Sequence, residues 1–241
     1  MSFHAKPSGG YSISSVEGTD NIIAAYNYLE PLGYTKEAVS GLLGNVVKES
    51  SLNPWLWERS SGGVPDQSSG YGFVQFTPGS EYINRCTGIT GYAPSLITNA
   101  VDPDASPDDG YAQLYVVDSD YLAKWVGSCW RSYWDSSINP NTYTLTQNML
   151  LEYGGSISMA EFRSMNVLTY ATMAFLGCYE GPHDYDPNHP TWYQKIDDNF
   201  ADRYSYAQQI YNILQPYTPG SDIFVELKIL DVNYKRKFNN I

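Results

Sequence analysis

The chain has 241 residues, enough for one medium domain with or without a small appendage, and its 42% apolar content suffices to build a core. A net charge of −12 argues against nucleic acid, which demands a basic stripe, and gives no long-range attraction to an anionic cell surface. No apolar run approaches the ~20 residues of a membrane span, so no membrane partner is expected.

The opening stretch, MSFHAKPSGGYSISS, has no apolar h-region and is not expected to act as a signal peptide. Residues 1–18 carry no periodicity and are expected to form an irregular arm. Past Asp20, Ile22, Tyr26 and Leu29 recur at helical spacing until Pro31-Leu-Gly33 stops the run. Thr35 can cap a second helix with Glu37 in its first turn, and Val39, Leu42 and Val46 form its apolar stripe up to Asn53-Pro54. Trp55 to Gly72 is rich in Ser, Gly and Pro and is expected to be a loop. The short Gly72–Thr77 stretch can be extended, and Pro78 is placed at the start of a helix through Cys86.

The acidic, Pro-rich residues 99–110 predict a loop, Tyr111 to Val126 a helix, and Trp125 to Tyr143 an irregular aromatic stretch. Ala160 to Tyr179 is expected as a buried helical pair with Val167, Tyr170, Ala174 and Cys178 on one face. A polar loop over 181–191 leads to a last helix whose core face is predicted to hold Phe200, Tyr204, Ala207, Tyr211 and Leu214. Pro216 and Pro219-Gly220 then break the chain, and residues 216–241 are expected to be a tail or linker used in docking. The result is a mainly α architecture: one helical domain over 19–215 with a short C-terminal extension.

Cys86, Cys129 and Cys178 make an odd, sparse set that gives neither a disulfide framework nor a C-x-x-C zinc pair. Reduced thiols, no metal and no cofactor are expected. Aromatic residues reach 15%, mostly tyrosine, which suits stacking on sugars; packing in a helical domain is the commoner use.

One residue breaks the apolar pattern of the second helix. Counted from Leu42, Val46 is i+4 and Glu49 is i+7, so Glu49 continues the core-facing stripe at the helix C-terminal end. Partial desolvation and the negative end of the helix dipole both disfavour its charged form, the condition a general acid needs near neutral pH. Position alone favours an ordinary, solvated glutamate at a helix end.

The surrounding sequence shifts that balance. Gly44-Asn-Val-Val-Lys-Glu49-Ser-Ser-Leu-Asn-Pro54 is followed by Gly70-Tyr-Gly-Phe-Val-Gln-Phe-Thr-Pro78. The pair resembles the lysozyme-like families, in which a helix ending in Glu-Ser-x-x-x-Pro precedes a Gly-rich segment ending in Gln-x-Thr-Pro. Goose-type lysozymes and lytic transglycosylases share that arrangement, and the closer resemblance is to the phage tail lysozyme family. Asn21 to Gly33 is similar to that family's opening helix and turn. Phe175-Leu-Gly-Cys-Tyr-Glu-Gly-Pro182 is similar to its late Phe-x-x-x-Tyr-Glu-Arg-Pro signature, with Gly181 in place of the arginine.

The resemblance implies a lysozyme-like fold over about residues 20–215 and cleavage of peptidoglycan at the β-1,4 bond between N-acetylmuramic acid and N-acetylglucosamine. Glu49 would protonate the glycosidic oxygen. The Gly70–Pro78 segment would line the sugar cleft, with Tyr71, Phe73, Gln75, Phe76 and Thr77 as candidate sugar contacts beside Trp57. Tyr71, Phe73 and Phe76 alternate with Gly72 and Val74, so some of them must point into the core. For a second catalytic group the candidates are Glu58, Asp66 and Glu180; Asp66, in the loop before Gly70, is placed to hold a water. Tyr179 and Glu180 are candidates for orienting Glu49 or a sugar.

A transglycosylase using one carboxyl and the muramyl C6 hydroxyl fits the same residues. A phage context implies a place in the particle, at the tail tip, or release at lysis. Peptidoglycan would be the partner, together with phage tail proteins. Three rivals stand beside this reading. A cysteine peptidase would pair Cys86 with His183 or His189, a zinc peptidase would use His183-Asp-Tyr-Asp-Pro-Asn-His189, and a tail component would grip glycan without cutting it.

Overall fold

A computed structural model describes residues 3–6, 9–58, 68–80, 82, 84, 109–120, 136–180 and 195–218. It is mainly helical, as expected, and among the described residues no segment forms a strand and no helix is long and apolar enough to cross a membrane. Helix α1 spans Val16–Leu29 and starts ahead of the Asp20 anticipated from the pattern. The Ser15 hydroxyl caps it by accepting from the Gly18 amide at 3.0 Å, while Val16 is 74% exposed, so no buried apolar residue marks the first turn. A 3₁₀ turn, Glu30–Leu32, follows.

Helix α2, Lys36–Ser50, is built as the sequence predicts. Thr35 accepts from the Ala38 amide at 3.0 Å, and Val39, Leu42 and Val46 are fully buried. This helix is the centre of the molecule, packed against α1 and against two later helices, α6 (Leu168–Ala174) and α7 (Ile196–Leu214). Two glycines let the backbones close on it: a Cβ on Gly41 would sit 2.6 Å from the Ala171 carbonyl carbon, and one on Gly44 would sit 2.6 Å from the Arg203 carbonyl oxygen.

Between these elements lie α3 (Asp109–Asp120), α4 (Pro140–Glu152) and α5 (Met159–Arg163). Helix α3 begins inside the acidic stretch expected to be a loop. Helix α4 corrects the irregular assignment at residues 140–143. Two of its three buried positions are threonines, Thr142 and Thr146, so it shows little apolar stripe. Its N-terminus is capped from another helix: the Asp197 carboxylate accepts from the Asn141 amide at 3.1 Å and from the Thr142 amide at 2.8 Å. Local sequence cannot reveal such a cap. The short α5 carries a capping box of Ser158 and Glu161.

A buried node ties α3 to α5 and to the start of α2. Asp118 accepts from the Tyr34 hydroxyl and from Arg163 Nη2, each at 2.7 Å. Burial, and then the Asp118 charge, push the Tyr34 phenol well above its ordinary value, so it stays a donor.

Helix α6 runs into a π-helical turn, Phe175–Glu180. The wider turn breaks the 3.6 period, and Phe175 through Tyr179 are all buried in succession instead of presenting one face. Cys178 is disulfide-bonded, which overturns the expectation of reduced thiols; its partner lies outside the described residues. Helix α7 also departs from expectation. Its buried residues are Ile196, Asn199, Arg203, Ala207, Ile210 and Leu214, so the core seam passes through an asparagine and an arginine while Phe200, Tyr204 and Tyr211 are only partly buried.

The predicted extended stretch at Gly72–Thr77 is a tight loop with two isolated antiparallel bridges, Trp57–Tyr71 and Tyr71–Phe76. Of the helix placed after Pro78, Gly79 and Ser80 are helical, and residues 85–108 lie outside the described ones. So do the stretches over 121–135 and 181–194 and the tail over 219–241. Tyr217 packs back on the domain, its hydroxyl donating to Asn27 Oδ1 at 3.3 Å.

The N-terminal arm is irregular but docked. Phe3, 6% exposed, packs edge-on against Phe73 and Tyr111 at ring-centroid distances of 5.2 and 4.7 Å. Its ring fills the space above Gly110, where a Cβ would lie 2.5 Å from Phe3 Cδ2. Replacing Phe3 by Ala is expected to destabilise the protein by about 3–5 kcal/mol in denaturant unfolding, the usual cost of emptying an aromatic core position; an unchanged midpoint would mean that the arm is not part of the core.

Candidate active site

The end of α2 and the middle of α7 meet at a pair of charges. Glu49, on the last turn of α2, has a side chain 24% exposed, and Arg203 on α7 is 3% exposed. Arg203 Nη2 donates to Glu49 Oε1 at 2.5 Å. The apolar stripe does carry Glu49 to the interface between helices, but the wall it meets there is a guanidinium and not only hydrocarbon.

A buried guanidinium is tolerated only with its donors satisfied. Arg203 Nε donates to Asn199 Oδ1 at 2.6 Å, and Nη1 to Asn45 Oδ1 at 3.0 Å and the Asn45 carbonyl at 3.4 Å. Asn45 is in turn fixed, its Nδ2 donating to the Gly41 carbonyl at 2.8 Å and the Thr172 carbonyl at 3.2 Å. Outside this core, Lys48 and Asp202 pair at 2.7 Å across the same two helices. That exposed pair adds little on its own.

Beyond Glu49 the chain leaves α2 through two left-handed residues, Ser51 (φ 50°) and Leu52 (φ 60°). The turn is held from three sides. Asn21 Nδ2 donates to the Leu52 carbonyl at 2.9 Å, the Tyr11 amide donates to the Ser51 carbonyl at 2.7 Å, and Asn53 Nδ2 donates to the Lys6 and Gly9 carbonyls at 2.9 and 2.7 Å.

The Gly70–Pro78 segment is tied to the chain leaving that turn. The Gly72 amide donates to the Leu56 carbonyl and the Glu58 amide to the Gly70 carbonyl, both at 2.9 Å. Gln75 Nε2 donates to the Leu56 and Gly72 carbonyls at 3.0 and 2.8 Å. Gln113 on α3 completes the tie, accepting from the Phe73 amide at 2.7 Å and donating to the Pro54 carbonyl at 2.8 Å.

With this geometry in hand, similarity to known proteins decides the class. Residues 20–214 match the family described as phage tail lysozyme. The chain belongs to the phage tail lysozyme family. A relative from Bacillus phage B103, "Morphogenesis protein 1", is 43% identical over 72 residues, a match covering 30% of this chain and 19% of that protein.

Within this family member the sequence-derived candidates fall into distinct places. Tyr71 and Phe73 are fully buried and Trp57 and Phe76 nearly so. Trp57 lies 4.6 Å from Tyr71 between ring centroids, and Phe76 stacks on Tyr82 at 5.2 Å. These rings form the base of the segment. Gln75 is partly exposed and Thr77 exposed, with Thr77 Oγ1 donating to the Gln75 carbonyl at 2.9 Å.

Tyr179 is buried and stacked on Phe175 at 4.4 Å, and Glu180 is partly exposed with one carboxylate oxygen buried. Both stand on the π turn, which contacts α2. Glu58 is exposed, and its Oε2 accepts from the Gly70 amide at 3.1 Å. Asp66, Cys86, His183 and His189 lie outside the described residues.

Arg203 and its anchors Asn45 and Asn199 were missed by sequence reasoning. The available signal was their spacing: Asn199, Arg203, Ala207, Ile210 and Leu214 follow one helical face, and Asn45 directly follows a glycine that admits α7. The closeness of α2 and α7 gives a direct test. Ala exceeds Gly in helix propensity by about 1 kcal/mol. At Gly44, however, the new Cβ would meet the Arg203 and Ala207 backbone at 2.6 and 2.8 Å. Gly44→Ala should therefore lower stability by about 1–3 kcal/mol; a rise in the thermal midpoint would refute the tight helix contact.

Proposed function

We propose that this protein is a peptidoglycan-cleaving glycosidase that cuts the β-1,4 bond between N-acetylmuramic acid and N-acetylglucosamine, with Glu49 as general acid. The observation that carries the proposal is the placement of Glu49. The chain belongs to the phage tail lysozyme family, and its own Glu-Ser-x-x-x-Pro glutamate stands at the end of the central helix, partly open to solvent, with one oxygen on a buried guanidinium.

The chemistry follows from that placement. The carboxylic acid gives its proton to the bridging oxygen, the bond from that oxygen to C1 breaks with its electron pair on oxygen, and Glu49 is left as a carboxylate. C1 is then captured from the other face. In the hydrolytic reading a water adds there, held by Asp66 as base. Gln75 and Thr77 offer polar groups to the N-acetyl-sugar from a segment whose rings anchor it from below. Tyr179 and Glu180 stand on the π turn that packs against this helix. Residues 19–215 form the catalytic unit in this proposal, and 216–241 serve docking. Peptidoglycan is the partner, reached from a phage particle through other tail proteins or from inside the host at lysis.

Digestion of purified peptidoglycan, with products read by mass spectrometry, tests the reading. Glu49→Gln keeps the shape and the hydrogen bond from Arg203 but removes the transferable proton, so the rate should fall by about 10²–10⁴ while the fold survives. Reducing muramyl ends would establish hydrolysis. Anhydro ends, lighter by one water, would establish transglycosylation and make Asp66 dispensable. Cleaved peptide stems over intact glycan, or a fully active Glu49→Gln enzyme, would refute the proposal.

A further inference from the structure

The proton that Glu49 donates has to sit on one of two carboxyl oxygens, and the surroundings treat them differently. Oε1 accepts from Arg203 Nη2 at 2.5 Å. A guanidinium is a donor only and stays charged, so it holds whichever oxygen it touches as an acceptor. A hydroxyl on Oε1 would turn a proton toward a group that cannot accept one. The transferable proton therefore belongs on Oε2.

Arg203 cannot easily give up this role. It is 3% exposed, its Nε is held by Asn199 Oδ1 at 2.6 Å, and its Nη1 by Asn45 Oδ1 at 3.0 Å. The Asn45 amide is oriented by its own bonds to the Gly41 and Thr172 carbonyls, so its oxygen has to face the guanidinium. The chain of contacts runs from α6 through α2 to α7 and ends on one oxygen of one carboxyl.

We infer that Arg203 is a positioning residue for the reaction: it fixes the Glu49 carboxyl so that Oε2 carries and delivers the proton, without itself touching substrate. This rests on the reading of Glu49 as general acid. When the proton leaves, the carboxylate charge forms beside a guanidinium already in place, and no group has to reorient at that moment.

The test uses the full-length protein on a soluble muropeptide, with kcat and KM measured separately for Arg203→Lys, Glu49→Gln and the double variant, and with circular dichroism melts to check folding. Lysine keeps the charge but cannot satisfy Asn45, Asn199 and Glu49 with the planar fork. Arg203→Lys should lose about 10²-fold in kcat, the scale of a misplaced catalytic group, with KM nearly unchanged. In the double variant the Arg203→Lys change should add nothing to the loss from Glu49→Gln, because it acts through that residue.

A merely structural arginine would instead lower both rates independently, and the losses would multiply; that result overturns the inference. So does a wild-type kcat in Arg203→Lys while Glu49→Gln is inactive. A fully active Glu49→Gln enzyme overturns the glycosidase reading instead. Should Arg203→Lys fail to fold, Asn199→Ser decides, since it frees Nε and leaves both charges in place. A lower kcat at constant KM supports positioning, and an unchanged kcat rejects it.

Discussion

A guanidinium that is 3% exposed is among the most demanding groups a small helical domain can contain, and the arrangement around Arg203 follows from its needs. Its donors require acceptors on more than one element, and Asn199, Asn45 and Glu49 supply them from α7 and α2. Those acceptors come within reach only if α2 and α7 are nearly in backbone contact, which Gly44 permits by carrying no Cβ. Asn45 then needs its own amide satisfied, which brings in the Thr172 carbonyl of α6 and the close approach at Gly41. One buried charge thus accounts for two glycines, two asparagines and the three-helix packing at the centre of the fold.

The same constraint explains which parts were legible in the sequence. Helix α2 was, because Val39, Leu42 and Val46 are apolar at the helical period and Thr35 is a capping residue. Glu49 was legible as the residue that continues this stripe. Its partner was not, because a buried arginine interrupts hydrophobic periodicity: the seam of α7 at Asn199 and Arg203 has the composition of a solvated face, and the aromatic residues Phe200, Tyr204 and Tyr211 outcompeted it as the apparent core side. Helix α4 was hidden for a related reason, since Thr142 and Thr146 occupy its buried side and its cap comes from Asp197 on a distant helix. The π turn also defeats a fixed period, since it buries Phe175 to Tyr179 one after another. Pattern reading succeeds where burial is apolar and caps are local.

The aromatic residues of the Gly70–Pro78 segment show how composition underdetermines role. A tyrosine and two phenylalanines beside glycines suit either sugar stacking or core packing. Here Tyr71, Phe73 and Phe76 are buried together with Trp57 and Tyr82, and the segment's backbone is bonded to Leu56, Glu58 and Gln113. A loop without regular strands is held in one shape by this combination of a ring cluster below and side-chain amides at its edges. Gln75 takes part in that scaffold: its Nε2 donates to two carbonyls while its own backbone sits at φ 48°, so it supports the segment's shape.

The turn after Glu49 links the proposed acid to the chain around it. Ser51 and Leu52 both hold left-handed conformations, each costing of order 1–3 kcal/mol for a residue with a Cβ, and such strain persists only where neighbours enforce it. The enforcing groups are Asn21 on α1, Tyr11 on the arm, and Asn53, which is fully buried and binds the arm at the Lys6 and Gly9 carbonyls. Phe3 locks the start of that arm against Phe73, a residue of the Gly70–Pro78 segment. The first residues of the chain therefore brace two things at once, the turn directly following the acid and the segment proposed to line its cleft. An arm with no helix or strand among its described residues is, in physical terms, part of the support that holds Glu49 in place.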